Sequence, residues 1–151
     1  MLTTAEALQT VLAKTPSMTT ESVAVSNSTG RVLREVIRAE RDQPPFDRVM
    51  MDGIAVRFES LQREPCTFAI AGMQRAGGLQ QTLAHPDTCL EIMTGAICPH
   101  QADTVIPYEH LHIENDIATV LHVPDSIGKN IHRRASDKKQ GDKLLSKGKR
   151  M

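Results

Sequence analysis

The sequence predicts an α+β fold that is mostly β, in which an N-terminal helical arm and a C-terminal return segment flank an inserted small β-barrel or sandwich domain. Three observations predict it: a capped helix at the start, short apolar runs bounded by Gly, Pro or Asp, and one hairpin pattern. We therefore expect a discontinuous N-terminal and linker domain formed by residues 1–45 plus 128–151. Residues 46–127 are expected to form the inserted β domain.

The first helix has both a start and an end signal. Thr3 can cap it, and Glu6 three residues later completes a capping-box pattern. Apolar residues then fall on one face at helical spacing: Ala5, Leu8, Val11 and Leu12. Thr15-Pro16 ends the pattern, because the residue before a proline disfavours the helical conformation.

The following segment gives weaker signals. Residues 21–25 have the pattern of a short strand, and residues 26–30 form a Ser-Asn-Ser-Thr-Gly turn cluster. Residues 31–37 are ambiguous between helix and strand. Their apolar positions suit a helix face, whereas their β-branched residues suit a strand.

From residue 46 to residue 127 the pattern is mostly β. Short strands are expected at residues 54–58, 67–71, 89–93 and 104–108. The clearest element is a hairpin, in which residues 110–114 and 117–122 alternate around the two-residue turn Asn115-Asp116. Residues 72–78, which run from one glycine to another, are expected to form an exposed loop.

Composition places the chain among globular proteins, since 40% of its 151 residues are apolar and 24% are charged. No apolar run is long enough for a membrane span, and no signal segment follows Met1, so a cytoplasmic location is expected. The three cysteines form no CxxC pair. Packing is therefore a better interpretation of Cys66, Cys89 and Cys98 than a disulfide or zinc site.

The net charge is zero but unevenly distributed. Residues 129–151 hold nine Lys or Arg against two Asp, whereas the rest of the chain holds nine basic residues against sixteen acids. A basic segment of net charge +7 can attract phosphates or nucleic acid. No aromatic residues are interleaved for base stacking, so a solvated, loosely ordered terminus is favoured and a nucleic-acid partner is not expected.

Residues 44–56, Pro-Pro-Phe-Asp-Arg-Val-Met-Met-Asp-Gly-Ile-Ala-Val, carry the strongest local signal. The two prolines fix an extended loop, and the Asp52-Gly53 step predicts a tight turn because Gly accepts a positive φ. Asp52 would then stand on a rigid corner before a strand. On spacing alone an ordinary Pro-rich turn is favoured, since Asp-Gly is a common turn dipeptide.

Three further motifs follow in order: Glu-Ile-Met-Thr-Gly-Ala at 91–96, Ala-Asp-Thr-Val-Ile-Pro-Tyr-Glu at 102–109, and a segment at 128–145 that contains Asn-Ile-His-Arg-Arg-Ala-Ser-Asp. With residues 44–56 they resemble the N-terminal and linker region of the molybdopterin molybdenumtransferase family, the MoeA and gephyrin E-domain proteins. The resemblance covers about residues 1–150. It implies a short helical piece within residues 31–37.

For the complete enzyme, the resemblance implies insertion of molybdate into adenylylated molybdopterin with Mg²⁺ and release of AMP, within molybdenum cofactor biosynthesis. A homodimer is also implied, in which this region forms dimer contacts and a lip of the partner subunit's active site. No membrane partner is expected. The pterin-binding domain of the family is not in this sequence, so a missing pterin-binding domain or a separate pterin-binding chain is an expected partner. The isolated chain is expected not to release AMP from that substrate.

Three catalytic residues are implied by the resemblance: Asp52, Thr94 and Asp137. A hydroxyl beside a glycine can approach a phosphate closely, and carboxylates near phosphates suit Mg²⁺. Without the resemblance, Thr94 is a turn residue at a strand end and Asp137 a local charge partner. His110 and His112 share a strand face, but no third ligand is identifiable, so both are interpreted as surface residues and no metal ligand is assigned.

The sequence also departs from the family pattern. Arg48-Val49-Met50 replaces Asn-Ser-Ala, Ile54 replaces a tyrosine, and Ala135-Ser136-Asp137 replaces Gly-Glu-Asp and is followed by Lys138. A lost glycine, a lost carboxylate and an added cation would alter an anionic or metal-binding site. Two hypotheses remain: the N-terminal and linker part of the transferase, or a non-catalytic binding or scaffold module derived from that family.

Overall fold

The computed structural model describes residues 2–151 and confirms the mostly-β expectation for them. The helix and strands are α1 (Thr4–Lys14), β1 (Ile37–Arg38), β2 (Arg48–Val49), β3 (Gly53–Val56), β4 (Thr67–Gln74), β5 (Thr88–Ile92), β6 (Thr104–Pro107), β7 (Leu111–Glu114), β8 (Ile117–Val120), β9 (Ile131–His132) and β10 (Lys143–Leu145). Short 3-10 helices lie at Val25–Asn27, Phe58–Gln62 and Tyr108–His110.

The chain divides into two compact units. One contains the residues up to 37 together with 143–151, and the other contains residues 38–142. The division at residues 45 and 128 that the sequence indicates stays a prediction.

Helix α1 follows from its capping signals as predicted. The Thr3 hydroxyl accepts the backbone N–H of Glu6 at 3.3 Å, and the Glu6 carboxylate accepts the backbone N–H of Thr3 at 2.7 Å. Thr15 ends the helix in an extended conformation ahead of Pro16. No residue of α1 is buried, so its apolar face is open to solvent in this chain.

Residues 21–37 differ from the sequence expectation. Residues 21–24 form no strand, and residues 31–37 contain no helix, although the family resemblance implied a helical piece there. The reason lies in the backbone hydrogen bonds: Leu33 N–H donates to the carbonyl of Lys149, and its own carbonyl accepts from Gly148, both at 2.8 Å. These groups are consequently not available to an intrahelical ladder.

The larger unit is built on a curled six-stranded sheet of order β6-β3-β5-β4-β8-β7. Its pairs are antiparallel except β4 with β5, which is parallel. Strand β3 is buried on both faces, since Ile54 and Val56 pack into one apolar cluster and Ala55 into a second. Asp52, directly before β3, therefore stands at the start of a fully buried strand.

The predicted hairpin is confirmed as β7 and β8, with Glu114 opposite Ile117. Asn115 and Asp116 have φ values of 51° and 60°, the left-handed conformation that a two-residue type I′ turn requires. The strands are shorter than the alternation suggested, because Tyr108–His110 forms a 3-10 turn and residues 121–122 lie beyond β8.

The expected loop at 72–78 is wrong at its start, because β4 continues to Gln74 after a register shift between Ile70 and Met73. Gln74 is fully buried, and its side-chain oxygen accepts the N–H of Gln81 at 2.7 Å. Its side-chain nitrogen donates to the Leu79 carbonyl at 3.2 Å. The buried Gln74 side chain thus stabilises the loop that follows β4 through hydrogen bonds to Leu79 and Gln81. The sequence pattern of polar and apolar residues gives no sign of this role.

The cysteines are thiols within the packed interior, as their spacing indicated. Cys89 and Cys98 are buried, and Cys66 is half-buried. Burial raises the pKa of the Cys89 thiol to about 12 and that of Cys98 to about 11. None of the helices in residues 2–151 has the length and apolar character needed to span a lipid bilayer.

The expectation of a loosely ordered basic terminus is wrong for residues 129–142. These residues return along residues 38–50, with β9 antiparallel to β2 and further hydrogen bonds from Ala39 and Gln43 to carbonyls of this segment at 2.8 Å. Two of its cations are neutralised locally: the Arg133 side chain contacts Asp47 at 2.6 Å, and that of Arg134 contacts Asp42 at 2.6 Å.

Asp47 connects the return segment of residues 129–142 to the proline loop of residues 44–56. Its carboxylate accepts the backbone N–H of Arg134 at 2.8 Å and a hydrogen bond from the Arg133 side chain. Partial burial raises the pKa of the Asp47 carboxyl, but these hydrogen bonds outweigh it and the net pKa lies below its ordinary value. The stabilisation is present above the unfolded-state pKa and is lost as the pH falls through the folded-state value.

We expect Asp47→Asn to lower the free energy of unfolding at pH 7 by about 1 kcal/mol, a value at the low end because the Asp47 side chain is 36% exposed. The variant should also lose part of the acid dependence of stability below about pH 4. Urea unfolding at pH 7, 5 and 3 measures both effects, with Asp116→Asn on the exposed hairpin turn as the control. Parallel pH profiles for wild type and Asp47→Asn would contradict the assignment.

Candidate functional site

Asp52 stands at the corner between β2 and β3, but the reason differs from the sequence argument. Gly53 does not have a positive φ and is the first residue of β3. A Cβ at this position would lie 1.9 Å from the backbone oxygen of Ile106 on the neighbouring strand. Gly53 is therefore required by close strand approach, and the tight turn expected from its conformational freedom is wrong.

Thr94 lies on a turn after β5. The N–H of Ala96 donates to the Met93 carbonyl at 3.0 Å, and Gly95 in the turn has a φ of 84°, a conformation that glycine adopts readily. Gly95 in turn donates its N–H to the Val49 carbonyl at 2.9 Å, which fixes the turn beside the strand that precedes the Asp52 corner.

The structure brings Asp52 and Thr94 into direct contact. The backbone N–H and the hydroxyl of Thr94 both donate to Asp52 Oδ1, at 2.6 Å and 2.7 Å. These two bonds, the backbone one first, hold the pKa of the Asp52 carboxyl below its ordinary value. Both residues are exposed. The result is a fixed, ionised carboxylate whose second oxygen, Oδ2, takes no part in these bonds.

Tyr108 and Glu91 flank this pair and were missed by the sequence reasoning. The Tyr108 hydroxyl donates to Glu91 Oε1 at 2.9 Å, and the Tyr108 backbone N–H donates to the Asp52 carbonyl at 3.2 Å. Burial, the hydrogen bond to Glu91 and nearby negative charge raise the pKa of Tyr108 to about 12, so the phenol stays neutral. Both residues lie within quoted motifs, but nothing in the spacing indicates that they meet.

Asp137 belongs to a different hydrogen-bonded group. Its Oδ1 lies 2.8 Å from His132 Nε2, and its backbone N–H donates to the Gln43 carbonyl at 2.9 Å. His132 Nδ1 lies 3.2 Å from an Arg48 side-chain nitrogen. The structure therefore pairs two of the three predicted catalytic residues, whereas the bonds of Asp137 link it to His132 and Gln43. His132 is a residue that the sequence reasoning did not select.

The backbone before Asp137 keeps a glycine-like conformation without glycine. Ala135 has a φ of 60°, and its N–H donates to the Pro44 carbonyl at 3.0 Å. A left-handed residue other than glycine costs roughly 1–2 kcal/mol. Ala135 thus stands where the Gly-Glu-Asp pattern has glycine, and it has the left-handed conformation that glycine favours.

The histidines of the hairpin region are exposed, as interpreted from the sequence. The His110 ring centroid lies 5.1 Å from that of His122, and His112 lies 3.7 Å from the Glu114 carboxylate. Among residues 2–151 no group of three or more His, Cys, Asp and Glu side chains is arranged to hold a metal ion.

The chain is similar to one family of known proteins over nearly its whole length. Residues 2–151 match the family described as "MoeA N-terminal region (domain I and II)". A molybdopterin molybdenumtransferase of Synechocystis sp. is 38% identical over 146 residues, which cover 96% of this chain and 37% of the relative. One from Haemophilus influenzae is 33% identical over 149 residues, with coverage of 98% and 37%.

Two solved structures that are described as molybdopterin biosynthesis MoeA protein, both from Pyrococcus horikoshii, share the fold. One has a TM-score of 0.79 at 29% identity and covers 97% of this chain; the other has a TM-score of 0.77 at 32% identity and covers 87%. The chain spans 38% and 35% of those two proteins, and 37% of the two curated relatives above. On the match across residues 2–151, the chain belongs to the MoeA N-terminal region family.

Proposed function

We propose that this chain is the N-terminal and linker part of a molybdopterin molybdenumtransferase, which inserts molybdate into adenylylated molybdopterin and releases AMP. The observation that carries the proposal is the Asp52–Thr94 contact: two motifs that are far apart in sequence meet and fix one ionised carboxylate. The relatives in the same family carry that enzyme name. A cytoplasmic location is part of the proposal.

Asp52 is the residue suited to meet a phosphate-bearing substrate through Mg²⁺. Mg²⁺ is commonly held by one or two carboxylates, with the remaining ligands supplied by water and substrate phosphates. Asp52 offers one oriented carboxylate oxygen, Oδ2, since Oδ1 is occupied by Thr94. This single oxygen fits a cation whose other ligands are water and substrate phosphates. When bound, Mg²⁺ would neutralise phosphate charge.

In this arrangement Thr94 donates its hydrogen bonds to Asp52 and not to a substrate. A threonine hydroxyl has one hydrogen to donate, and that hydrogen is directed at Asp52 Oδ1 at 2.7 Å. It cannot be donated to a phosphate at the same time. The proposed role of Thr94 is therefore to position the carboxylate, with the backbone N–H as a second donor at 2.6 Å.

A homodimer is proposed as the assembly, supported by the apolar face of α1. Leu8, Val11 and Leu12 are 59%, 62% and 64% exposed. We expect Leu8→Glu with Leu12→Glu to weaken self-association at least about 100-fold, because burying one leucine contributes about 1.5–3 kcal/mol. Sedimentation velocity over a concentration series is the measurement, with Thr10→Glu as the control, because Thr10 lies about 160° around the helix from Leu8 and Leu12. A wild-type chain that stays monomeric throughout would remove α1 as the dimer surface.

A chimera tests the proposed function as a whole. Residues 2–151 replace the matching region of the Synechocystis relative, and AMP release from adenylylated molybdopterin is followed with molybdate and Mg²⁺. We expect release within about tenfold of the parent relative. The circular dichroism spectrum and melting temperature establish that the chimera is folded before its activity is compared.

The second candidate function is a non-catalytic binding or scaffold module. It is favoured by Ser136, which stands where the family pattern has a carboxylate next to Asp137. On this hypothesis the folded chimera still assembles but releases no AMP. A folded, dimeric and inactive chimera would therefore favour the module over the enzyme part.

A further inference from the structure

Arg48 and His132 face each other across the short β2–β9 ladder. They are direct antiparallel partners in its register, so their side chains project from the same face of the strand pair. An Arg48 side-chain nitrogen, Nη2, lies 3.2 Å from His132 Nδ1. The chain then turns back after β9, and Asp137 Oδ1 lies 2.8 Å from His132 Nε2. The imidazole is thus held at both of its nitrogens.

The chemistry of the two neighbours determines where the imidazole proton lies. A guanidinium has donors only, so the Nδ1 atom that faces Arg48 must accept and must carry no hydrogen. A neutral imidazole then has its hydrogen on Nε2, where the Asp137 carboxylate accepts it. A doubly protonated ring would direct an Nδ1–H at the Arg48 donor and place two positive groups 3.2 Å apart.

We infer that His132 is a positioning residue for Asp137: Arg48 holds its imidazole as the neutral Nε2–H tautomer, and that N–H fixes the Asp137 side chain in one rotamer. The catalytic consequence rests on the proposed function and on the catalytic role that the family resemblance implies for Asp137. The tautomer of His132 and the rotamer of Asp137 do not depend on either.

Asp137 needs such an anchor because it is otherwise weakly held. Its side chain is 55% exposed, whereas that of His132 is 27% exposed. Its backbone is fixed through Gln43, but a backbone bond leaves the side-chain rotamer open. The Ser136 hydroxyl lies 3.5 Å from Asp137 Oδ1, at the limit of a hydrogen bond.

The two arginines that follow His132 have different carboxylate partners. The side chains of Arg133 and Arg134 contact Asp47 and Asp42, each at 2.6 Å. His132 therefore supplies the short contact to the Asp137 carboxylate that the neighbouring arginines do not supply.

The tautomer is tested by long-range ¹H–¹⁵N spectra of the histidine rings at pH 7, assigned by comparison with His132→Gln. We expect one unprotonated Nδ1 and one protonated Nε2 in the wild type. In Arg48→Glu the facing group becomes an acceptor, so a hydrogen on Nδ1 is no longer opposed and protonated Nδ1 should appear in the spectrum. Arg75→Glu, the same charge change on an exposed loop residue, should leave the wild-type pattern. A wild-type ring that is protonated at Nδ1 would overturn the inference.

The positioning role is tested by three-bond couplings that report the Asp137 χ1 angle. Wild type should show one rotamer, and His132→Leu should show averaging among rotamers because the N–H is lost. His132→Gln should restore one rotamer, since its side-chain amide can donate at the reach of Nε2. A single Asp137 rotamer in His132→Leu, or averaging in the wild type, would overturn the inference even if the fold is intact.

Activity separates this inference from the proposed function. In the chimera described above, His132→Leu should lower AMP release and His132→Gln should recover most of it. If Asp137→Asn leaves AMP release unchanged, the site role proposed for Asp137 fails while the spectroscopic result stands. If the spectra fail, the inference fails whatever the activity of the chimera.

Discussion

Replacement of Gly53 by alanine is expected to lower the free energy of unfolding by more than about 3 kcal/mol. The added Cβ would lie 1.9 Å from the Ile106 carbonyl oxygen and 2.9 Å from the Pro107 Cα, both backbone atoms of β6. Neither a rotamer change nor a small side-chain movement can relieve this overlap. Strands β3 and β6 would have to separate, and each of these two strands contributes residues to both apolar clusters of the sheet.

Gly77→Ala is the matched control. Nothing lies within 4 Å of a Cβ at Gly77, so the substitution causes no steric overlap. Its only cost is that alanine must adopt a positive φ of 75°, which lowers the free energy of unfolding by roughly 1–2 kcal/mol. Urea unfolding of wild type and both variants gives the comparison. If Gly53→Ala is no more destabilising than Gly77→Ala, then the two strands are not as close as the structure has them.

The sequence was informative where a local rule fixes local geometry. Thr3 and Glu6 placed the start of α1, and Asn115-Asp116 placed the hairpin turn, because capping and type I′ turns depend on residues close in the chain. It failed at residues 31–37, where the Arg31 carbonyl and both backbone groups of Leu33 form hydrogen bonds with residues more than a hundred positions later. No local pattern encodes those partners.

At the candidate site, too, the sequence motifs identified some residues, and contacts between distant segments determined the rest. The motifs selected Asp52 and Thr94, and the structure shows them in contact. The role of Gly53 was misjudged because the crowding comes from β6, a strand about fifty residues away. His132 was not selected for the same reason: its two contacts, Arg48 and Asp137, depend on the β2–β9 register and on the turn after β9.

Asp52→Asn is expected to lower AMP release by the chimera about 10²–10³-fold, the size of effect seen when one oriented electrostatic group is removed from an active site. The substitution leaves folding nearly intact. Asparagine retains an oxygen that can accept from the backbone N–H and the hydroxyl of Thr94, which now donate to Asp52 Oδ1 at 2.6 Å and 2.7 Å. The substitution removes the negative charge. It also replaces Oδ2, the oxygen proposed to bind Mg²⁺, with an amide nitrogen.

The melting temperature and the rate of AMP release are measured on the same preparations of wild-type and variant chimera. Asp116→Asn is the control, because it removes one exposed carboxylate at the hairpin turn, where asparagine tolerates the φ of 60°. An unchanged melting temperature with a large loss of release in Asp52→Asn alone supports the site role. If release is unchanged, Asp52 only stabilises its corner, and the roles proposed for Thr94 and Asp137 lose their support, since all three come from one family resemblance.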